Sequence, residues 1–255
     1  MDPILFEIGP VRLYTYGLLV ASGFFFGIKW AARLAKREGI DVNFIYDTAF
    51  WAIVGAIIGA RFIFILTNLS YFVDHPLDIF KIWAGGLVFY GGLLGVIVAV
   101  VICARKASVD IWALADVIAP AGALGHGIGR IGCFFAGCCY GKETHVDWAV
   151  TFHDSLSIAP TGIPLHPTQL YSAANEFILF IILSMLWPYR KFKGQILLTW
   201  VVLYGITRSI IEIFRGDPRG LYFDGMVSTS QIIAGIVITV AVWLYFRNKS
   251  LYPTV

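Results

Sequence analysis

Apolar residues along this chain gather into seven runs of near-bilayer length, separated by short polar connections rich in charge. The runs lie near residues 13–32, 46–68, 87–104, 111–130, 172–188, 195–214 and 227–246. A hydrocarbon core of about 30 Å takes roughly 20 consecutive apolar residues of helix, and a helix satisfies its own backbone polar groups there. The pattern predicts an all-α, polytopic membrane protein: seven transmembrane helices forming a single transmembrane domain over 1–255. Residues 131–171 are then an external loop region. Its 142–170 stretch, with Pro160, Pro164 and Pro167, is long enough to fold into a small cap. Asp2 and Glu7 stand before the first run where a cleavable signal would be basic, so that run reads as a span.

Composition agrees with this. Hydrophobic residues make up 58% of the chain and charged ones only 14%, against about 25% charged in a soluble domain. A net charge of +3 without a basic tract argues against nucleic acid as a partner. The distribution of charge sets orientation. Arg33, Lys36, Arg37, Arg105, Lys106, Arg190, Lys191, Lys193, Arg247 and Lys249 fall on one side. Arg12, Lys81, Lys142, Arg215 and Arg219 fall on the other. By the positive-inside rule the richer side is cytoplasmic, which puts the N-terminus outside and the C-terminus in the cytoplasm.

Four basic residues remain within the runs. Lys29 is close enough to the cytoplasmic end to snorkel, but Arg61, Arg130 and Arg208 are not. An arginine at the bilayer centre costs about 2.5–3.5 kcal/mol on insertion scales, so each needs a partner. All three fall in the outer half of their spans. Three guanidinium groups at similar depth point to a shared anion, and the anion abundant there is a lipid phosphate, which suits arginine's planar fork. The structural alternative is pairing within the protein. Glu212 lies four residues after Arg208, on the same helical face, whereas Asp47 and Asp116 sit toward the cytoplasmic side.

Spacing within the spans adds detail. Tyr204, Arg208 and Glu212 recur every four residues and share a face. Ala121, Gly125 and Gly129 form a small-residue stripe suited to close helix approach, with His126 and Arg130 on a polar line beside it. Pro120 and the glycines suggest a bent or broken fourth helix lining a polar cavity that opens outward. Cys133, Cys138 and Cys139 cluster at its outer end, where disulfides persist. They read as a structural disulfide involving Cys133, or as buried thiols. No C-x-x-C pair or standard zinc spacing is present, so no metal site is expected.

Taken in order, "IGPVRLYTYGLL" (8–19), "GARFIFIL" (59–66), "WAGGLVFYGGLLG" (83–95), "GRIGCFFAGCCYG" (129–141), "LHPTQLY" (165–171) and "YGITRSIIEIFR" (204–215) resemble the prolipoprotein diacylglyceryl transferase family over nearly the whole chain. The resemblance implies an enzyme of the bacterial cytoplasmic (inner) membrane with its active site toward the outer face. It would move the diacylglyceryl group of phosphatidylglycerol onto the lipobox cysteine thiol of a prolipoprotein. A thioether forms, glycerol phosphate leaves, and no cofactor is implied. Arg130 occupies the family's phospholipid-binding arginine position. Arg208 and Arg61 become further headgroup candidates, Tyr16 and Tyr204 hydrogen-bond donors, and Glu212 the residue orienting Arg208. Two departures stand out. Many members have histidine at Tyr90, the usual candidate for activating the thiol, and many carry asparagine and glutamate at Cys133 and Cys138. A tyrosine, with pKa about 10, is a weak base. That leaves His126 or His166 as alternative proton acceptors. A membrane thiol oxidoreductase built on the outer cysteines and a transporter are the competing classes; absence of internal repeats counts against the latter.

Overall fold

The computed structural model describes residues 3–8, 11–217, 221–222 and 227–251. Arg219, one of the outer basic residues counted above, lies outside them. An antiparallel ribbon comes first, β1 (Ile4–Ile8) and β2 (Val11–Tyr14), pairing Glu7 with Arg12. Seven helices long and apolar enough to cross a membrane follow: α1 (Thr15–Glu38), α2 (Val42–Thr67), α4 (Phe89–Lys106), α5 (Ile111–Ala136), α6 (Thr168–Leu186), α7 (Gln195–Ile213) and α8 (Thr229–Leu251). A short α3 (Leu69–Asp74) lies in the connector after α2. The all-α, seven-span expectation holds.

Two compact units make up the chain, Ala32–Leu114 and Met1–Ala31 together with Ala115–Val255. In the first, α2 and α4 meet backbone to backbone. A Cβ at Gly95 would lie 1.9 Å from the Gly55 carbonyl oxygen, and one at Gly59 would lie 2.3 Å from that of Gly91. Small residues at both crossings permit this approach, and van der Waals contact replaces the hydrophobic drive that lipid cannot supply.

In the second unit α5 is the most enclosed helix. It is continuous through Pro120, so of the bent or broken helix expected there the break does not occur. The small-residue stripe works in part. A Cβ at Gly23 of α1 would lie 2.6 Å from the Gly125 carbonyl oxygen, and one at Gly27 would lie 3.0 Å from that of Ala121, but among the described residues nothing lies within 4 Å of one at Gly129. Asp116, fully buried on α5, accepts from the backbone N–H groups of Gly194 (2.8 Å), Ile196 (2.9 Å) and Leu197 (3.0 Å). That carboxylate stabilises the start of α7 by filling its orphan donors and facing its positive dipole end.

Between α5 and α6 the chain folds rather than wanders. β3 (Val150–Thr151) pairs antiparallel with β4 (Pro164–Leu165), and Phe152, Ala159 and Leu165 form a small core covered by Phe134, Tyr140, Val150 and Ile163. This cap rests on the turn that carries the cysteines.

Candidate active site

His126 and Arg130 stand one turn apart on α5, and α6 brings Glu176 against the first of them. Glu176 Oε1 lies 2.7 Å from His126 Nδ1, and Arg130 Nε donates to His126 Nε2 at 3.0 Å. An arginine N–H can only donate, so Nε2 must be the accepting nitrogen. The imidazole proton is thereby placed on Nδ1, where it meets the carboxylate. Glu176 is completely enclosed, while His126 keeps 35% of its side chain exposed. Trp200 Nε1 donates to the other Glu176 oxygen at 3.3 Å, and the Tyr204 ring lies 5.7 Å from the imidazole. A buried acid thus orients a histidine, which orients an arginine.

The other edge of Arg130 faces the cysteines: Nη1 is 3.5 Å from Cys139 Sγ. The sulfurs of Cys133, Cys138 and Cys139 all lie within 4.8 Å of one another, each thiol is free, and each residue is partly exposed. No disulfide forms through Cys133. The turn carrying two of them is held from the first turn of α6, where Gln169 Nε2 donates to the Cys138 carbonyl (2.9 Å) and Thr168 Oγ1 to that of Cys139 (2.7 Å). Cys139 itself has φ +62°, uncommon for a residue with a Cβ. Hydrogen bonds from Cys133 and Cys138 pull its thiol well down, with Arg215 adding to the effect, while the same sharing holds Cys138 well up. Arg215 is buried, which alone would lower its pKa. The Asp217 carboxylate, bound at 2.9 and 2.8 Å, and the Cys139 sulfur outweigh that and raise it.

The remaining candidates of this unit are Tyr16, Arg208, Glu212 and His166. Tyr16, in the first turn of α1, lies against Gly132, to which an added Cβ would bring its ring within 3.2 Å. Arg208 pairs with Glu212, whose other oxygen accepts from Ser230 Oγ at 2.9 Å. His166 Nδ1 lies 3.1 Å from the Tyr171 hydroxyl, and its carbonyl accepts from Gly141 N at 3.1 Å, which ties it to the end of the cysteine turn. Sequence reasoning missed Glu176, although a lone acid in an apolar span was the available signal. It also passed over the backbone clamps Thr168 and Gln169, which carry no such mark.

Arg61 and Tyr90 belong to the other unit. Arg61 is buried, with no carboxylate on its guanidinium among the described residues; its N–H groups donate to backbone carbonyls of Ile79 (3.0 Å), Gly85 (2.9 Å), Gly86 (3.2 Å) and Asp78. The rings of Phe64 and Phe72 lie 5.5 and 5.3 Å from it. A hollow of about 240 Å³ beside it is lined by residues of the same stretch, among them Tyr71, Asp78 and Lys81. Asp78 is held below the usual carboxylate range by hydrogen bonds from Lys81 and Tyr71. Tyr90 opens α4, half exposed, its hydroxyl without a hydrogen-bond partner among the described residues.

A family model described as prolipoprotein diacylglyceryl transferase matches residues 3–247. The chain belongs to the prolipoprotein diacylglyceryl transferase family. Relatives named phosphatidylglycerol–prolipoprotein diacylglyceryl transferase include one from Clostridium tetani, 36% identical over 96% of this chain and 97% of its own length. Another, from Geobacter sulfurreducens, is 38% identical over 92% of this chain and 90% of its own. One from Aeromonas hydrophila is 36% identical over 99% and 93%. Membership of the prolipoprotein diacylglyceryl transferase family leaves the thiol oxidoreductase and the transporter without support.

Proposed function

We propose that this chain transfers the diacylglyceryl group of phosphatidylglycerol to the lipobox cysteine thiol of prolipoproteins, at the outer face of the bacterial inner membrane. Its N-terminus is outside and its C-terminus cytoplasmic, and the 255 residues act as one membrane domain. The observation that carries the reading is the Glu176–His126–Arg130 relay in a chain of this family. The reaction displaces phosphate at a glyceryl carbon. The carbon–oxygen bond breaks with its electron pair going to the phosphate, and a carbon–sulfur bond forms. A phosphodiester with one negative charge becomes a monoester with nearly two, so charge develops on the leaving oxygen. A guanidinium already oriented toward that oxygen lowers the barrier without reorganising at the moment of reaction.

Arg130 is the phosphate-binding residue in this reading. His126 is its positioning residue rather than a base, because the nitrogen that could accept a proton already accepts from Arg130. Tyr16 and Tyr204 hydrogen-bond the headgroup or peptide, and His166 lies at the peptide's approach. Arg208, neutralised by Glu212, shapes the wall beside Tyr204. Arg61 secures the connector that follows α2 instead of meeting lipid. Tyr90 is given no proton to move.

The test is direct. Purified protein incubated with phosphatidylglycerol vesicles and a lipobox peptide should yield a peptide heavier by one diacylglyceryl group, with one glycerol phosphate released for each. Peptide that stays unmodified while the protein remains folded would refute the activity.

A further inference from the structure

Three thiols converge on one point beside two arginines, and neither the fold nor the transferase reading above gives them work. We propose that Cys133, Cys138 and Cys139 form a three-thiolate site for zinc(II), whose open fourth position takes the thiol of the incoming lipobox cysteine. The second half of this proposal rests on the transferase reading; the first does not.

Geometry comes first. Zinc–sulfur bonds of about 2.3 Å in a tetrahedral site place sulfurs about 3.8 Å apart. The three Sγ atoms already lie within 4.8 Å of one another, so each needs to move inward by only about half an ångström. Their backbone is prepared for it. Cys133 sits in the last turn of α5, and the Cys138 and Cys139 carbonyls are clamped by Gln169 and Thr168. A disulfide would use two sulfurs and strand the third, and all three are free. A cation uses all three.

Charge favours the same occupant. Three thiolates and one zinc ion leave a net negative charge, and a fourth thiolate deepens it. Arg130, 3.5 Å from Cys139 Sγ, and the buried Arg215 beside it offset that charge. Each cysteine remains partly exposed, so a fourth ligand can reach the metal. Three protein ligands and one open position are the arrangement of a catalytic rather than a structural zinc site.

The chemistry also fills a gap. Both nitrogens of His126 are engaged, so that imidazole is not available to activate the thiol. A metal deprotonates a bound thiol outright. The released proton goes to solvent, and the departing phosphate, whose second ionisation lies near pH 6, leaves with nearly two negative charges. The bound sulfur supplies the electron pair for the carbon–sulfur bond, the phosphate leaves with the pair from the carbon–oxygen bond, and the neutral thioether dissociates from the zinc. Nothing is oxidised or reduced.

The test uses the full-length protein in detergent micelles, reduced and stripped of metal. Titration with Zn²⁺ should fill one site per chain. Co²⁺ in the same site should develop the strong charge-transfer absorption of thiolate ligation. Cys133→Ser and Cys138→Ser should each weaken Zn²⁺ binding by about 100-fold, while Cys103→Ser leaves it unchanged. Less than one tightly bound ion per chain, or no cobalt–thiolate absorption in the wild-type protein, would overturn the site without recourse to any variant. Adding a lipobox peptide to the cobalt form should raise the charge-transfer absorption, and a peptide with serine at the lipobox position should not. Equal spectra with the two peptides would overturn the fourth ligand. Neither measurement uses phosphatidylglycerol, so a failed transfer reaction beside a filled zinc site would count against the transferase reading alone.

Discussion

Arg61 and Arg130 are both arginines in apolar helices, and they are held in opposite ways. Arg61 spends its donors on backbone carbonyls of the segment that follows its own helix. Arg130 is gripped along one edge by a histidine that a buried glutamate orients, and its other edge faces a partly exposed cluster of thiols. Backbone acceptors are neutral and fixed in the chain, so an arginine committed to them organises structure. Side-chain partners that hold one edge of the fork leave the rest for a ligand. The partners, not the presence of an arginine in an apolar run, distinguish the two.

Substitution should pull the two apart. Arg61→Ala strands several carbonyl acceptors in a buried place, and the loss of stability should reach about 3 kcal/mol or more. Thermal unfolding in micelles would register it, with the transfer rate of the surviving folded protein nearly unchanged. Arg61→Lys should recover little, since one ammonium cannot span acceptors that a planar fork reaches together. A variant that stays as stable as wild type but loses transfer would reverse the assignment.

Weakening the relay behind Arg130 should act on rate rather than stability. Glu176→Gln and His126→Gln are each expected to slow transfer by about 10- to 100-fold, the usual scale for groups that orient a reacting one. The double variant should be little worse than either single one, because both act through the same guanidinium. Independent, additive losses in steady-state kinetics would mean that the two residues do not form a relay. Smallest of all should be Tyr90→Phe, with transfer within about 3-fold of wild type. A much deeper loss would return Tyr90 to the role of base and remove the need for a metal-activated thiol.

The spans were legible because bilayer-length apolar runs admit few other readings, and all seven are helices. Their ends were less so. The C-terminal end of α1 runs on to Glu38, past Arg33, Lys36 and Arg37, and α5 continues to Ala136, so the hydropathy runs stop short of both helices. Pro120 leaves α5 unbroken because neighbours enclose it. Arg130 and His126 were visible as polar residues on one helical line. Glu176 was hidden by distance, fifty residues from the histidine it orients, and Asp116 likewise, since the helix start it stabilises lies about eighty residues on. The convergence of three sulfurs was hidden by spacing. It depends on a left-handed residue at Cys139 and on a turn clamped from another helix, neither of which a motif search would find.

The central claim is that Arg130 acts on the phosphate of phosphatidylglycerol, and single-turnover release of glycerol phosphate by Arg130→Ala measures it most directly. Release should fall by about 1,000-fold while the protein unfolds at the wild-type temperature. Release at the wild-type rate from the folded variant would contradict the account.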